Sequence, residues 1–185
     1  MSNRVADLRH DLRVMGLVGS AHASSHFFHL ILPPLFPILK LDFDVSFAAL
    51  GLLPTLFYGA SGIAQTIAGF LVDRFGARRV LLLGLTLLSL SVIGYGFCFS
   101  FWGLMFFSIT AGLGNSVFHP ADLSILTNKI STERLGKAYA IHAFSDNIGW
   151  ALAPIFIVAL ASFLDWRTAT TVSYTHLTLP TKRIV

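Results

Sequence analysis

An all-α, polytopic membrane helix bundle is the fold class this sequence predicts. Three observations carry it: a scarcity of charge, long uninterrupted apolar runs, and basic residues gathered between those runs. Of 185 residues, 13 are Lys or Arg and 9 are Asp or Glu, so 12% are charged, about half the roughly 25% of an ordinary soluble domain. Hydrophobic residues make up 55% and the mean hydropathy is +0.73, more apolar surface than one core of this size can hide. A water-soluble enzyme is therefore excluded. The pI of 9.6 does not point to nucleic acid, because the basic residues form short clusters between apolar runs rather than a stripe among polar neighbours. The single cysteine, Cys98, cannot form an internal disulfide and reads as a small lipid- or core-facing residue. No short apolar region with a small-residue cleavage site precedes the first long run, so no cleaved signal peptide is expected.

The elements follow in chain order. Residues 1–14 read as a polar cytoplasmic lead of mixed charge. About 20 apolar residues cross a hydrocarbon core roughly 30 Å thick, and Met15 to Leu39 and Phe47 to Val72 each contain no Asp, Glu, Lys or Arg. Val80 to Ala121 is 42 residues long without a formal charge, which at the helical rise is roughly 60 Å and so must cross twice. The turn is placed at Phe99 to Gly103, where an interfacial Trp102 meets a glycine. Ala138 to Leu164 follows with one acid, Asp146. The expected helices are thus about 15–39, 47–72, 80–99, 102–126 and 138–164. Strands are disfavoured because the apolar runs are continuous rather than alternating. Trp102 and Trp166 read as interfacial anchors, and Pro33, Pro34 and Pro37 as a bend near the outer end of the first helix.

Charge then sets the topology. With the N-terminus inside, the cytoplasmic segments hold Arg4, Arg9, Arg13, Arg74, Arg78, Arg79, Lys129, Arg134 and Lys137, against only Lys40 and Arg167 outside, a clear positive-inside bias. After Arg167 the pattern changes: the last 18 residues hold six threonines, as many as the preceding 167. No apolar run of spanning length can be drawn there, so residues 168–185 read as a truncated sixth helix. The stretch Val172 to Val185 resembles translated adapter sequence and is expected to be a non-native tail.

The loop between the second and third helices reads Gly69-Phe70-Leu71-Val72-Asp73-Arg74-Phe75-Gly76-Ala77-Arg78-Arg79. It resembles the signature of the major facilitator superfamily in the position that superfamily puts it, with Ala77 in place of the usual basic residue. Gly69 would let a neighbouring helix approach, Asp73 would form charge pairs and helix-end interactions, and Gly76 would permit a tight turn. The resemblance makes Gly69, Asp73, Arg74, Gly76 and Arg78 a gating loop that latches two transporter halves. His22 followed by Leu32 to Pro37, Gly112 to Pro120, Asn147-Ile148-Gly149 and Ala153-Pro154 resemble the fosmidomycin-resistance-like branch. The resemblance covers roughly Val14 to Arg167, so the bundle is expected to be the N-terminal half of a major facilitator superfamily fold. It implies secondary active transport by export or proton-coupled exchange, with Gly149 and Pro154 in helix packing. Three positions depart from related transporters: His26 replaces an acid, Ser108 stands where an arginine is common, and the antiporter pattern around Pro154 is partial, with Ala153 for glycine.

Ionisable side chains inside apolar helices are costly and mark function by default. His22, His26 and His29 fall on one narrow helical face; His119 and Asp122 lie one turn apart, as do His142 and Asp146. His22, His26, Asn115, His119, Asp122, His142, Asp146 and Asn147 are the candidate substrate or proton pathway, the six His and Asp among them lining one cavity; His29, nearer the outer half, is the weakest candidate. Such a set can relay protons or bind an anion, or can hold the bundle together by interhelical hydrogen bonds. No metal is expected, since the first-helix histidines have no close Cys or acidic residue in sequence, and no cofactor. Expected partners are the lipid bilayer, a small-molecule substrate, protons and a C-terminal half, with no nucleic acid. The expected location is a bacterial inner membrane. The rival readings are a membrane redox protein with histidine-ligated haem and a non-transporting membrane assembly partner.

Overall fold

The computed structural model describes the backbone of residues 2–181 and the side chains of residues 7–173. The described chain is helical throughout, in the order α1 Ser2–His29, α2 Phe36–Phe43, α3 Phe47–Leu50, α4 Leu52–Phe75, α5 Ala77–Gly96, α6 Phe101–Asn115, α7 Phe118–Lys129, α8 Leu135–Phe163 and α9 Trp166–Thr181.

Helix breaks follow from backbone chemistry. The first expected helix, 15–39, is not continuous: α1 ends at His29, a short 3-10 turn covers Pro33–Leu35, and α2 resumes at Phe36. Pro33 and Pro34 lack the N–H groups that would bond back to His29 and Leu30, and their rings clash with the preceding turn. The lead expected to be separate is instead the opening of α1, which starts at Ser2. Asp44 ends α2 in the left-handed region (φ 50°) with its N–H on the Lys40 carbonyl, a conformation that Asp tolerates better than most residues. Gly76, at φ 87°, closes α4 by donating its N–H to Val72 at 2.9 Å. The expected tight turn is there, and its backbone requires glycine. The reversal placed at Phe99 to Gly103 lies slightly earlier, between Gly96 and Phe101; the Ser100 hydroxyl caps α6 by accepting from the Gly103 N–H at 3.3 Å. The fourth expected helix breaks between α6 and α7 because Pro120 cannot bond to the Ser116 carbonyl. Pro154 sits inside α8 without ending it.

Among the described residues, four helical stretches are long and apolar enough to cross a membrane: Phe47–Phe75, Ala77–Gly96, Phe101–Lys129 and Thr132–Phe163. The first segment is not among them, and the polar residues that lower its hydropathy, His22, Ser24, Ser25 and His26 of α1, are turned inward and buried. Here α1 is a central helix wedged against α7 and α8. Its apolar continuation, with Phe27, Phe28, Ile31 and Leu35, joins the main core with Leu53, Leu88, Leu104 and Ile157. A sixth helix forms as α9, which among the described residues has 16 residues, or roughly 24 Å. Its first turns pack on α5, where Thr170 and Thr171 lie against Gly96, and Trp166, Ala169, Thr170 and Ser173 are buried. Of the tail expected to be non-native, Lys182 to Val185 lie outside the described residues.

Polar contacts tie the two ends. At the basic end, the Asp11 carboxylate of α1 accepts from the Ser131 hydroxyl (2.7 Å), the Ser131 N–H (3.3 Å) and Arg134 Nε (2.7 Å). At the other end Asp42 accepts from Trp166 Nε1 (3.0 Å) and pairs with Arg167 at 2.8 Å, while Arg167 also donates to the Cys98 carbonyl at 3.1 Å. The two tryptophans expected as anchors thus differ. Trp102 is 77% exposed, whereas Trp166 is buried, because its indole N–H has a carboxylate partner inside the protein. Cys98 is buried, as expected.

Candidate functional site

Three helices bring the candidate residues together. Gly149 of α8 faces α1 so closely that a Cβ there would lie 2.3 Å from the Ala23 carbonyl oxygen. This approach fulfils the packing role expected of Gly149 and carries Asp146 and Trp150, on the same face of α8, onto the α1 histidines. His119 and Asp122 arrive from α7, which packs on α1.

His22 is the hub. It is fully buried, as is Asp122. Its Nδ1 donates to Asp122 Oδ2 at 2.7 Å, and His142 Nε2 reaches the same oxygen at 3.3 Å. On the opposite edge of the ring, His22 Nε2 lies 2.7 Å from Asp146 Oδ1, and His26 Nε2 lies 3.7 Å from that oxygen. The rings are stacked or edge-on: His22 is 3.7 Å from His142, 4.6 Å from His26 and 4.9 Å from His119, centroid to centroid. Six of the expected residues, His22, His26, His119, Asp122, His142 and Asp146, therefore form one cluster. Asp146 is its open side, with 22% of its side chain exposed.

This cluster is unusual in what it leaves unmade. Among the described residues, six buried side-chain polar atoms have no hydrogen-bond partner, and four belong here: His22 Nε2, His26 Nδ1, Asp122 Oδ1 and Asp146 Oδ1. Buried polar atoms are nearly always satisfied in folded proteins, so orphans gathered at one place point to something that binds or passes there.

A second, satisfied chain adjoins it. His29 Nε2 donates to Asn115 Oδ1 at 2.9 Å, Asn115 Nδ2 donates to Ser61 Oγ at 3.0 Å, and Trp150 Nε1 donates to His29 Nδ1 at 3.4 Å. The His29 ring lies 4.4 Å from that of His26. His29 is thus joined to the cluster more firmly than its position near the outer half suggests. Ser61 and Trp150 were not singled out from the sequence; Trp150 could have been, lying one turn beyond Asp146. Asn147 is not brought in: it is exposed and donates to the Ala143 carbonyl of its own helix at 3.3 Å. Ser108 is buried and accepts from the Tyr95 hydroxyl at 3.3 Å.

The loop at the basic end is separate from the cluster. Asp73, Gly76, Arg78, Arg79 and Lys129 line a cleft of about 870 Å³ between that loop and α7. Asp73 makes no ion pair among the described residues, and Arg74 lies 5.6 Å from the Phe75 ring. Gly69 has open space where a Cβ would stand, so the close helix approach expected there is not made within the described residues. Gly112 makes such an approach instead, a Cβ there lying 2.2 Å from the Phe57 carbonyl oxygen.

Comparison with known proteins now adds to this geometry. The family described as Major Facilitator Superfamily matches residues 18–173. The chain is 28% identical over 142 residues to the MFS-type transporter YfnC of Bacillus subtilis, covering 77% of this chain and 34% of YfnC. It is 33% identical over 113 residues to YwoD of the same organism, covering 61% of this chain and 25% of YwoD. To the fosmidomycin resistance protein of Escherichia coli it is 23% identical over 147 residues, covering 80% of this chain and 36% of that protein. The chain spans a quarter to about a third of the length of these relatives. Its fold matches a crystal structure of a bacterial homolog of the human lysosomal transporter Spinster, inward-facing and unoccupied. The TM-score is 0.82 at 16% identity, over 95% of this chain and 42% of the other. The relatives are bacterial membrane proteins with multiple helical spans.

Proposed function

This chain belongs to the Major Facilitator Superfamily, and from that premise we propose that it forms one half of a secondary active transporter that exports a small molecule or exchanges it for protons. Substrate sites in such transporters lie near the bilayer midplane between two halves that rock against each other. A half of the kind proposed must expose a face for its counterpart. The helices α4 and α8 are the least covered of the spanning stretches, and Ile63, Phe70 and Phe144 stand well exposed on them. With the counterpart in place, Asp73 and Gly69 of the gating loop would meet it, which accounts for their having no partner among the described residues.

The observation that carries the reading is the His22 hub between Asp122 and Asp146, with its unpartnered atoms. Intramembrane carboxylates and imidazoles are retained against a large desolvation cost chiefly along ion and substrate paths, and imidazole exchanges protons near neutral pH. The test is transport by the two-half protein after a substrate screen in an overexpressing strain. Asp122→Asn and His119→Ala each lower the rate by on the order of a hundredfold, the scale of a lost proton-transfer group; an unchanged rate in both overturns the site. The 185-residue chain alone, reconstituted in liposomes, does not transport, and a normal rate would overturn the half-transporter reading.

We read the basic end as cytoplasmic and the location as the inner membrane, a reading supported by nine Lys and Arg residues at that end against two at the other. Impermeant thiol labelling of Ser131→Cys from outside intact cells gives no signal if this orientation holds, and strong labelling reverses it.

A further inference from the structure

The contact between His22 and Asp146 is chemically unfinished. With its Nδ1 on Asp122 Oδ2, the His22 ring brings Nε2 to 2.7 Å from Asp146 Oδ1. Both atoms are buried and neither has a hydrogen-bond partner. A ring nitrogen and a carboxylate oxygen held this close share a cation, a proton or a metal ion. His26 Nε2 approaches the same oxygen at 3.7 Å, and the ligand atoms of His22, His26 and Asp146 all lie within 4.8 Å of one another.

We propose that His22, His26 and Asp146 bind a divalent first-row transition-metal ion of the zinc class. Two imidazoles and one carboxylate suit zinc, cobalt or nickel, whereas calcium and magnesium prefer oxygen ligands alone. Metal–ligand bonds of about 2.1 Å in a tetrahedral site put neighbouring ligand atoms about 3.4 Å apart. The observed 2.7 and 3.7 Å bracket that spacing, so small side-chain rotations complete the site. Asp122 holds the His22 ring by Nδ1, the carboxylate–histidine–metal arrangement that fixes the tautomer and raises ligand basicity. The partly exposed Asp146 marks the access side, from which a water would supply the fourth ligand. The acid missing from the sequence neighbourhood of the α1 histidines is thus supplied across the helix interface. His119 and His142 form a neighbouring trio with His22, but there His142 Nε2 already meets Asp122 Oδ2 at 3.3 Å, which leaves that trio fewer free ligand atoms.

Equilibrium binding reads this site without reference to transport, so its failure leaves the transporter reading standing. The purified, metal-free full chain in lipid nanodiscs is titrated with Zn²⁺ against a chromophoric chelator and with Co²⁺ by visible absorption. One ion per chain and the intense bands of low-coordinate Co²⁺ are expected. Asp122→Asn weakens binding by about tenfold or more, as loss of a supporting carboxylate does, and His26→Ala and Asp146→Asn weaken it further; His10→Ala, at the exposed basic end, binds as the parent does. Should the α1 variants fail to fold, carbethoxylation of the unaltered chain provides the second readout, with Zn²⁺ protecting His26 but not the exposed His10. Absence of stoichiometric binding, retention of it in Asp146→Asn, loss in His119→Ala without loss in His26→Ala, or equal modification of His26 with and without Zn²⁺ would each overturn the assignment.

Discussion

The polar groups at the ends of this bundle and those at its centre are handled in opposite ways. Asp11 is saturated by Ser131 and Arg134, and Asp42 by Trp166 and Arg167; of these groups only Arg167 Nε is buried without a partner. At the centre, Asp122 and Asp146 share one histidine and each leaves an oxygen unpartnered. Satisfied polar contacts specify a unique arrangement, while partly satisfied ones cost stability and persist where function needs them. The difference separates contacts that staple the helices from a cluster held ready for a ligand or a proton.

The largest break in this contrast comes from the residue that assembles the centre. Gly149→Val places a branched side chain where even a Cβ meets the Ala23 carbonyl oxygen at 2.3 Å and His26 Cβ at 2.9 Å. Forcing α1 from α8 is expected to cost about 3 kcal/mol or more, read as a large fall in Tm in detergent together with loss of the cluster's function. Next in size is the double variant Asp122→Asn with Asp146→Asn. Removing two incompletely paired carboxylates while keeping their shapes should leave Tm unchanged or raised, because buried charges stabilise poorly unless fully compensated, and should abolish transport in the two-half protein. A lower Tm with transport intact would make the centre a staple like the ends.

How much of this was legible beforehand depends on the kind of information needed. Helical periodicity places His22, His26 and His29 on one face, and Asp146 with Trp150 on another, from spacing alone. The same arithmetic turns Asn147 away from Asp146 by about 100°, the side on which the structure places it. Spacing carries nothing about rotation of one helix against the next, so the pairing of His22 with both Asp122 and Asp146 required the packed bundle. Trp166 misled for a related reason: a tryptophan near a helix end commonly anchors at the interface, but the carboxylate that buries it, Asp42, is 124 residues away in sequence. The break at Pro33 was readable from the missing N–H groups, whereas that at Pro120 was not, since Pro154 lacks the same N–H and ends nothing, and the contacts of Asp11 with Ser131 and Arg134 join residues far apart in sequence.

A smaller effect sharpens the contrast through pH. Ser131, and with it Arg134, holds the Asp11 carboxyl well below its usual 3.8. A group depressed in the folded state contributes stability above its unfolded pKa and loses it as pH falls through that value toward the folded one. The Tm advantage of the unaltered chain over Asp11→Asn is therefore expected to be constant near neutral pH, a few degrees in size, and to shrink below about pH 4. Transport by the two-half protein should not change at neutral pH. An advantage that persists undiminished at pH 3 would show that the carboxylate's charge is not what ties α1 to the segment before α8.

The smallest effect is expected at the start of α9. Asp165 accepts from the N–H groups of Arg167 (2.9 Å) and Thr168 (3.0 Å) and from the Thr168 hydroxyl (2.5 Å), and the Thr168 contacts hold its carboxyl below the usual range. This is a helix N-cap, whose loss to alanine typically costs about 1 kcal/mol. Asp165→Ala should lower Tm slightly, while Asp165→Asn, which caps nearly as well without charge, should recover most of the loss. The residue is exposed, so water replaces part of what the cap supplied and neither variant should alter transport. A transport defect in Asp165→Asn with unchanged Tm would move this end of the bundle from the staples to the working parts, because only the charge, and not the cap, would have been removed.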